Sequence, residues 1–130
     1  MKRVLILEND QKVVTKLTTF LEAKGCIVTN FTCTDGYKQL LEAVRDIKPD
    51  VVISGIQVPN IDGRDICRFL KNHDTYGRIP IVLVVPDTHP ARSTILEADV
   101  VLAKPLDEFE LNKTYSGLMG LNTDEVNQVA

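Results

Sequence analysis

The chain has 130 residues, a formal net charge of −3, 44% hydrophobic residues and 25% charged residues. This length predicts one domain with its own core, and the composition is typical of a soluble globular protein without a membrane span. Because the chain is acidic and has no basic cluster, we do not expect this domain to bind nucleic acid. The N-terminal residues do not form a signal peptide, so we expect a cytoplasmic protein.

The hydrophobic pattern predicts five strands that alternate with five helices. The predicted strands are 3–7, 27–31, 51–55, 79–85 and 100–103, and the helices that follow them lie at about 10–24, 37–47, 64–72, 90–97 and 107–118. Asp10 is placed to cap the first helix, and Asp107 with Glu110 resembles a capping box at the start of the last helix. We therefore predict a domain over 1–119, with 120–130 as a polar tail or the start of a linker.

Near-continuous apolar strands joined by helices predict a parallel sheet covered on both faces, which is a doubly wound α/β fold. Ligands of such sheets gather at the carboxyl ends of the strands. The central strand lies in the segment PDVVISGIQVPNIDG, at 49–63, and it ends at Gly55. The position where a reactive side chain is expected therefore carries none.

Neither the cysteines nor the histidines indicate a site. Cys26, Cys33 and Cys67 are odd in number and show no CxxC spacing, so we interpret them as reduced thiols. His73 and His89 are isolated in loop-like segments and are interpreted as surface residues.

Over about residues 2–119 the chain resembles the receiver domains of two-component response regulators. The resemblance rests on the acidic turn Glu8-Asn9-Asp10, on "PDVVIS…VPNIDG" around the third strand, on "IPIVLVV" for the fourth and on "LAKPL" after the fifth. It implies a flavodoxin-like (βα)5 fold with strand order 2-1-3-4-5. It also implies a site at the carboxyl edge of strands one, three, four and five, and a cis peptide bond before Pro105.

The resemblance assigns each part of a receiver's phosphoacceptor site to a position here. The positions are Glu8 and Asn9 for the acid pair that holds a cation, Gly55 for the nucleophilic aspartate, Val85 for the hydroxyl residue, Val101 for the switch aromatic, and Lys104, followed by Pro105, for the lysine. Only the lysine is retained. The resemblance therefore implies a degenerate site.

The glycine has the largest chemical consequence. Phosphoryl transfer to a receiver needs a carboxylate oxygen in line with the phosphorus, and glycine supplies no attacking atom. Ser54 is predicted to face the opposite side of the sheet, and Asp50 lies at the other end of the strand. We therefore predict a pseudo-receiver that is not an enzyme and acts as a protein-interaction module.

We expect no cofactor and weak or no Mg²⁺ binding, because Mg²⁺ usually needs one or two carboxylates with waters and phosphate oxygens. The remaining candidates are Glu8, Asp10 and, by resemblance, the backbone carbonyl of Gln57. For Lys104 we hypothesise an ion pair with Glu8, whose extra methylene reaches toward the space left at Gly55. The alternative is a solvent-facing lysine without a special partner.

The expected partner is another signalling protein or domain, or a second copy bound through the face from the fourth to the fifth helix. The segment between Val85 and Lys104 is about one helical turn shorter than the resemblance implies, so this face is altered.

Two alternatives stay open. One is a working phosphoacceptor that uses Glu8 or Asp10, and the other is a crevice that binds a small anion beside Lys104. A nucleotide-binding enzyme is disfavoured because the turn after the first strand contains no glycine.

Overall fold

The computed structural model describes residues 2–32, 36–58, 61–86 and 98–120. The strands are Arg3–Leu7 (β1), Ile27–Asn30 (β2), Val51–Gly55 (β3), Gln57–Val58 (β4), Ile61–Asp62 (β5), Ile81–Val85 (β6) and Val100–Ala103 (β7). The helices are Gln11–Ala23 (α1), Tyr37–Ile47 (α2), Gly63–Lys71 (α3) and Glu108–Tyr115 (α4), which continues into a π-helical turn at Ser116–Gly120. No helix within the described residues is long and apolar enough to cross a membrane.

Five strands form one parallel sheet in the order β2-β1-β3-β6-β7. Counted within this sheet, the strands follow the predicted order 2-1-3-4-5, but the numbering along the chain differs, because the antiparallel strands β4 and β5 intervene after β3 and form a separate ribbon. Two-residue strands carry no hydrophobic period, so the sequence pattern could not predict them. The fold class itself, a flavodoxin-like α/β domain with a five-stranded parallel sheet, is confirmed.

The sheet is covered on both faces, as its apolar strands predict. Alternate strand residues face α1 and α4 on one side, among them Val4, Ile6, Ile53, Val82 and Val84. The residues between them, such as Leu5, Val52 and Leu83, face α2 and α3. The carboxyl ends of the central strands therefore open at one edge, between the two helical layers.

Aspartate side chains start three of the helices. Asp10 accepts from the backbone N–H of Lys12 at α1, which confirms the predicted cap, and Asp62 does the same for Arg64 at α3. Asp107 accepts from the N–H of Glu110, as the capping-box pattern predicts. Each cap satisfies a backbone donor that the first turn leaves without an intrahelical partner.

Several expectations lie outside the described residues: the helix at 90–97, Cys33, His89 and the tail from 121. Among the described residues, Cys26 and Cys67 are buried thiols. Burial raises the pKa of Cys26, which keeps this thiol protonated and weakly reactive. His73 stacks on Tyr76 with ring centroids 4.8 Å apart, in the loop after α3.

Candidate functional site

The site assigned by the resemblance lies at the carboxyl edge of the sheet. Glu8 follows β1, Gly55 ends β3, Val85 ends β6 and Lys104 follows β7. Parallel pairing of these neighbouring strands brings their ends together. The amide of Asn30 donates to the carbonyl oxygens of Ile6 and Glu8, at 3.1 and 3.2 Å, and so fixes the turn after β1.

The carboxylate of Glu8 fills the space beside Gly55. A Cβ built on Gly55 would lie 2.5 Å from Glu8 Oε2, 2.8 Å from its Cδ and 2.9 Å from its Oε1. These separations are shorter than van der Waals contact, so any side chain at position 55 would displace Glu8. The acid assigned to cation binding therefore occupies the volume where the nucleophile's side chain would begin.

Both oxygens of Glu8 face polar groups, although the side chain is only 3% exposed. Oε2 accepts from the backbone N–H groups of Asn9, at 3.0 Å, and Asp10, at 3.4 Å. Oε1 lies 3.4 Å from Lys104 Nζ and has no hydrogen-bond partner among the described residues. The buried charge is thus compensated by one ammonium and two amide dipoles.

Lys104 bridges two carboxylates. Its Nζ also donates a hydrogen bond of 3.3 Å to Asp10 Oδ2, while Asp10 Oδ1 caps α1. The structure therefore shows the hypothesised pairing of Lys104 with Glu8, and the alternative of a lysine without a special partner is wrong. The hydrogen bond from Lys104 lowers the pKa of Asp10, with a smaller contribution from the N–H of Lys12, against a partial desolvation that raises it.

The loop after β3 folds tightly onto Gly55. Gly63 donates its N–H to the carbonyl of Ile56 at 2.7 Å, and a Cβ on Gly63 would collide with the carbonyl oxygen of Gly55. Only glycine permits this approach, because it has no Cβ. α3 therefore starts directly against the end of β3.

Neither Ser54 on β3 nor Asp50 at the entry of this strand replaces the missing nucleophile. Ser54 is fully buried and donates its hydroxyl to the carbonyl of Gly55 at 2.9 Å. Strand alternation places its side chain on the face opposite to that of position 55. Asp50 accepts from the backbone N–H of Arg3 at 2.8 Å, which matches its predicted role at the strand's entry.

The two positions assigned to switching are both valine. Val85 is fully buried in the core cluster under α2 and α3, and Val101 packs against the same cluster while partly exposed. Neither side chain has a hydroxyl or an aromatic ring that could follow a phosphoryl group. The peptide bond from Lys104 to Pro105 is cis, as the resemblance implies.

The two carboxylates that were candidates for cation binding, Glu8 and Asp10, are both engaged by Lys104. Among the described residues, no group of three or more His, Cys, Asp or Glu side chains could hold a metal ion. Because the Lys104 ammonium contacts the carboxylate oxygens of both Glu8 and Asp10, a divalent cation would have to displace it to bind both carboxylates. A cation would compete directly with the lysine.

Sequence reasoning missed the second partner of Lys104. Asp10 was predicted as a helix cap and weak metal ligand, but its bond to Lys104 joins residues 94 positions apart. No local pattern reports such a contact. The available signal was topological, because both residues follow strands that end at the same edge.

Comparisons with known proteins agree with this fold. The family model of the response regulator receiver domain matches residues 4–116. The chain is 25% identical to Protein PilG of Pseudomonas aeruginosa over 112 residues, which are 84% of this chain and 81% of PilG.

A second relative is the DNA-binding response regulator MtrA of Mycobacterium tuberculosis. It is 30% identical over 127 residues, which cover 95% of this chain but 53% of MtrA, so the chain spans about half of that protein.

The receiver domain of the sensor histidine kinase PA1611 from P. aeruginosa shares the fold. That domain was crystallised with a magnesium ion in its active-site cleft. Its TM-score is 0.74 at 22% identity, with 92% of this chain and 98% of that chain covered. The chain therefore belongs to the response regulator receiver domain family of two-component signalling proteins.

Proposed function

We propose that this receiver domain is not phosphorylated and works as an interaction module in two-component signalling, without enzymatic activity. The observation that carries the proposal is the Glu8 carboxylate, which lies 2.5 Å from the position of a Cβ on Gly55. The nucleophile is absent, and its place is filled by a group of the same charge.

The chemistry of phosphoryl transfer supports this proposal. Transfer needs an attacking oxygen in line with the phosphorus. It also needs positively charged groups that neutralise the equatorial oxygens of the phosphoryl group. Gly55 supplies no oxygen, and Lys104 is already within ion-pair distance of Glu8 and Asp10. An incoming phosphoryl group would therefore meet two carboxylates and a lysine whose charge they compensate.

The contacts of Lys104 with Glu8 and Asp10 also support the proposal that the domain is held in a single conformation. Lys104, Glu8 and Asp10 tie the end of β7 to the turn after β1, and the turn is also fixed by Asn30. Val85 and Val101 provide no group that responds to phosphate. In this proposal the internal ion pairs take the place of the regulated acyl phosphate.

One observation favours a second candidate function, in which Glu8 accepts the phosphoryl group. Its Oε1 has no hydrogen-bond partner among the described residues and faces Lys104 at 3.4 Å. The side chain is, however, only 3% exposed. For Glu8 to attack the phosphorus in line with the bond to the leaving group, the turn after β1 would have to open.

Intact mass spectrometry separates the two candidates. The natural protein is incubated with Mg²⁺ and acetyl phosphate, beside a receiver domain that carries the aspartate as a positive control for the donor. We expect no added phosphoryl mass, because position 55 has no attacking atom. A hydroxylamine-labile adduct that disappears in Glu8→Gln would contradict the first candidate and identify Glu8 as the acceptor.

For partners, we propose another signalling protein or domain, or a second copy of this chain. The partner would bind the face that extends from the helix predicted at 90–97 to α4. The described part of this face includes β7 and α4. Phe109 on α4 is 73% exposed, so its ring is available for a contact on this face. No nucleic-acid contact is proposed for this acidic domain.

A further inference from the structure

A cavity lies beside Lys104, on the side of the sheet covered by α1. It has a volume of about 410 Å³ and is bounded by the first turns of α1, by Pro86 after β6 and by residues 104–106. Cavities of this size hold small organic molecules in many proteins. Asp10, Lys104 and Pro105 belong to the site described above, whereas Lys16, Pro86 and Leu106 have no role in it.

The floor of the cavity is apolar and rigid. Val13 and Leu106 are 7% and 5% exposed and belong to the core, while Pro86 and Pro105 supply ring surfaces at the sides. Proline rings and buried aliphatic side chains change conformation little, so the apolar surface is formed before a ligand arrives. Burying an apolar ligand body there gains hydrophobic free energy at little ordering cost.

The rim of the cavity is cationic, although the chain as a whole is acidic. Lys12, Lys16 and Lys104 line it together with a single acid, Asp10. Asp10 is engaged by Lys104 and by the N-terminus of α1. Lys12 and Lys16 are exposed and form no ion pair with a described residue.

The spacing of these two lysines also favours an anion. Residues four apart on a helix are neighbours, so Lys12 and Lys16 repel each other unless a negative group lies between them. The start of α1 adds the positive end of the helix dipole at the same place. The cavity thus combines an apolar floor with uncompensated positive charge at one side.

We propose that this cavity binds a small organic carboxylate with an apolar body. The carboxylate lies between Lys12 and Lys16, and the apolar body rests on Val13, Pro86 and Leu106. Bound there, the ligand contacts Lys104 and Pro105 and so reaches the network of Glu8, Lys104 and Asp10. The cavity exists whether or not the domain accepts phosphate, so this proposal is independent of the one above.

The test uses 2-naphthoate as the probe, titrated into the ¹⁵N-labelled protein and followed by amide chemical shifts. Acetate tests the need for the apolar body, and neutral 2-naphthamide tests the need for the charge. We expect saturable shifts at Lys12, Val13, Lys16, Lys104 and Leu106. We expect binding at least about tenfold weaker for both comparison compounds.

Variants make the test specific to the cavity. Lys12→Glu/Lys16→Glu changes two exposed side chains without touching the core, and we expect it to weaken 2-naphthoate at least about tenfold. Lys113→Glu, which reverses one charge at an exposed position of α4 outside the cavity, is the control and should leave the affinity unchanged. The proposal is overturned by the absence of saturable binding at millimolar probe, by shifts centred on Phe109, by equal binding of 2-naphthamide, or by equal losses in both variants.

Discussion

The side chain of Glu8 occupies the volume that a side chain at Gly55 needs, so position 55 cannot be changed without a response at position 8. Gly55→Asp places a second carboxylate against Oε2 of Glu8. We expect this variant to lose about 1–3 kcal/mol in the free energy of unfolding, from overpacking and like-charge repulsion.

Urea denaturation of matched variants separates these two causes. Gly55→Ala adds the Cβ without the charge, and Glu8→Asp/Gly55→Asp shortens the neighbouring side chain by one methylene. The double variant should recover part of the stability lost in Gly55→Asp. In intact mass spectrometry it should take up more phosphoryl mass than Gly55→Asp alone. Equal stability of Gly55→Asp and the natural protein would mean that Glu8 does not fill this space.

Asp10 is the residue whose ionisation reports on Lys104. Because the hydrogen bond from Lys104 lowers the folded-state pKa of Asp10, this carboxylate stabilises the fold above its unfolded-state pKa. That contribution is lost as pH falls through the folded-state pKa. In Lys104→Met the pKa of Asp10 should rise toward its ordinary value. The pH-dependent contribution of Asp10 to the free energy of unfolding should then shrink.

A carboxyl ¹³C titration of Asp10 by NMR measures this change directly. Asp10→Asn assigns the resonance, and Lys113→Met is the control because Lys113 makes no contribution to the lowered pKa of Asp10. The same Asp10 pKa in Lys104→Met and in the natural protein would show that the 3.3 Å hydrogen bond is not formed in solution.

At the scale of single elements, α4 presents the most exposed large apolar side chain of the described residues. Phe109 is 73% exposed in the first turn of α4, which begins shortly after Lys104 and Pro105 in the chain. If this face joins two copies, Phe109→Asp should shift the sedimentation coefficient toward the monomer, with Phe109→Leu as the conservative control. A natural protein that stays monomeric at high concentration would exclude the second copy and leave a different signalling protein as the partner.

The sequence predicted these elements best where a hydrophobic period or a cap marked them. Asp10 and Asp107 cap α1 and α4 as expected, and β1 and β7 have the predicted bounds. β4, β5 and the π-helical turn were not predicted, because two-residue strands and a change of helical hydrogen bonding leave no period in the sequence. β6 begins two residues later than predicted, after Pro80, whose missing N–H cannot join the ladder.

At the scale of the whole molecule, topology carries what local patterns cannot. The parallel sheet brings together Glu8, Gly55 and Lys104 from three separate strand ends, so the position of the site could be predicted from the fold. The resemblance made the contact of Glu8 with Lys104 a hypothesis. The bridge to Asp10 and the cavity beside it depend on side-chain placement in three dimensions, and no pattern in the chain reports them.

The amide spectrum of the ¹⁵N-labelled protein, recorded before and after addition of Mg²⁺ and acetyl phosphate, tests the central claim most directly. If the contacts of Glu8 with Gly55 and Lys104 replace the acyl phosphate, the signals of Gly55, Val85, Val101 and Lys104 will not move. A second set of signals at these residues, appearing with the donor and reversing as the phosphoryl group hydrolyses, would contradict the account and show a receiver that still switches.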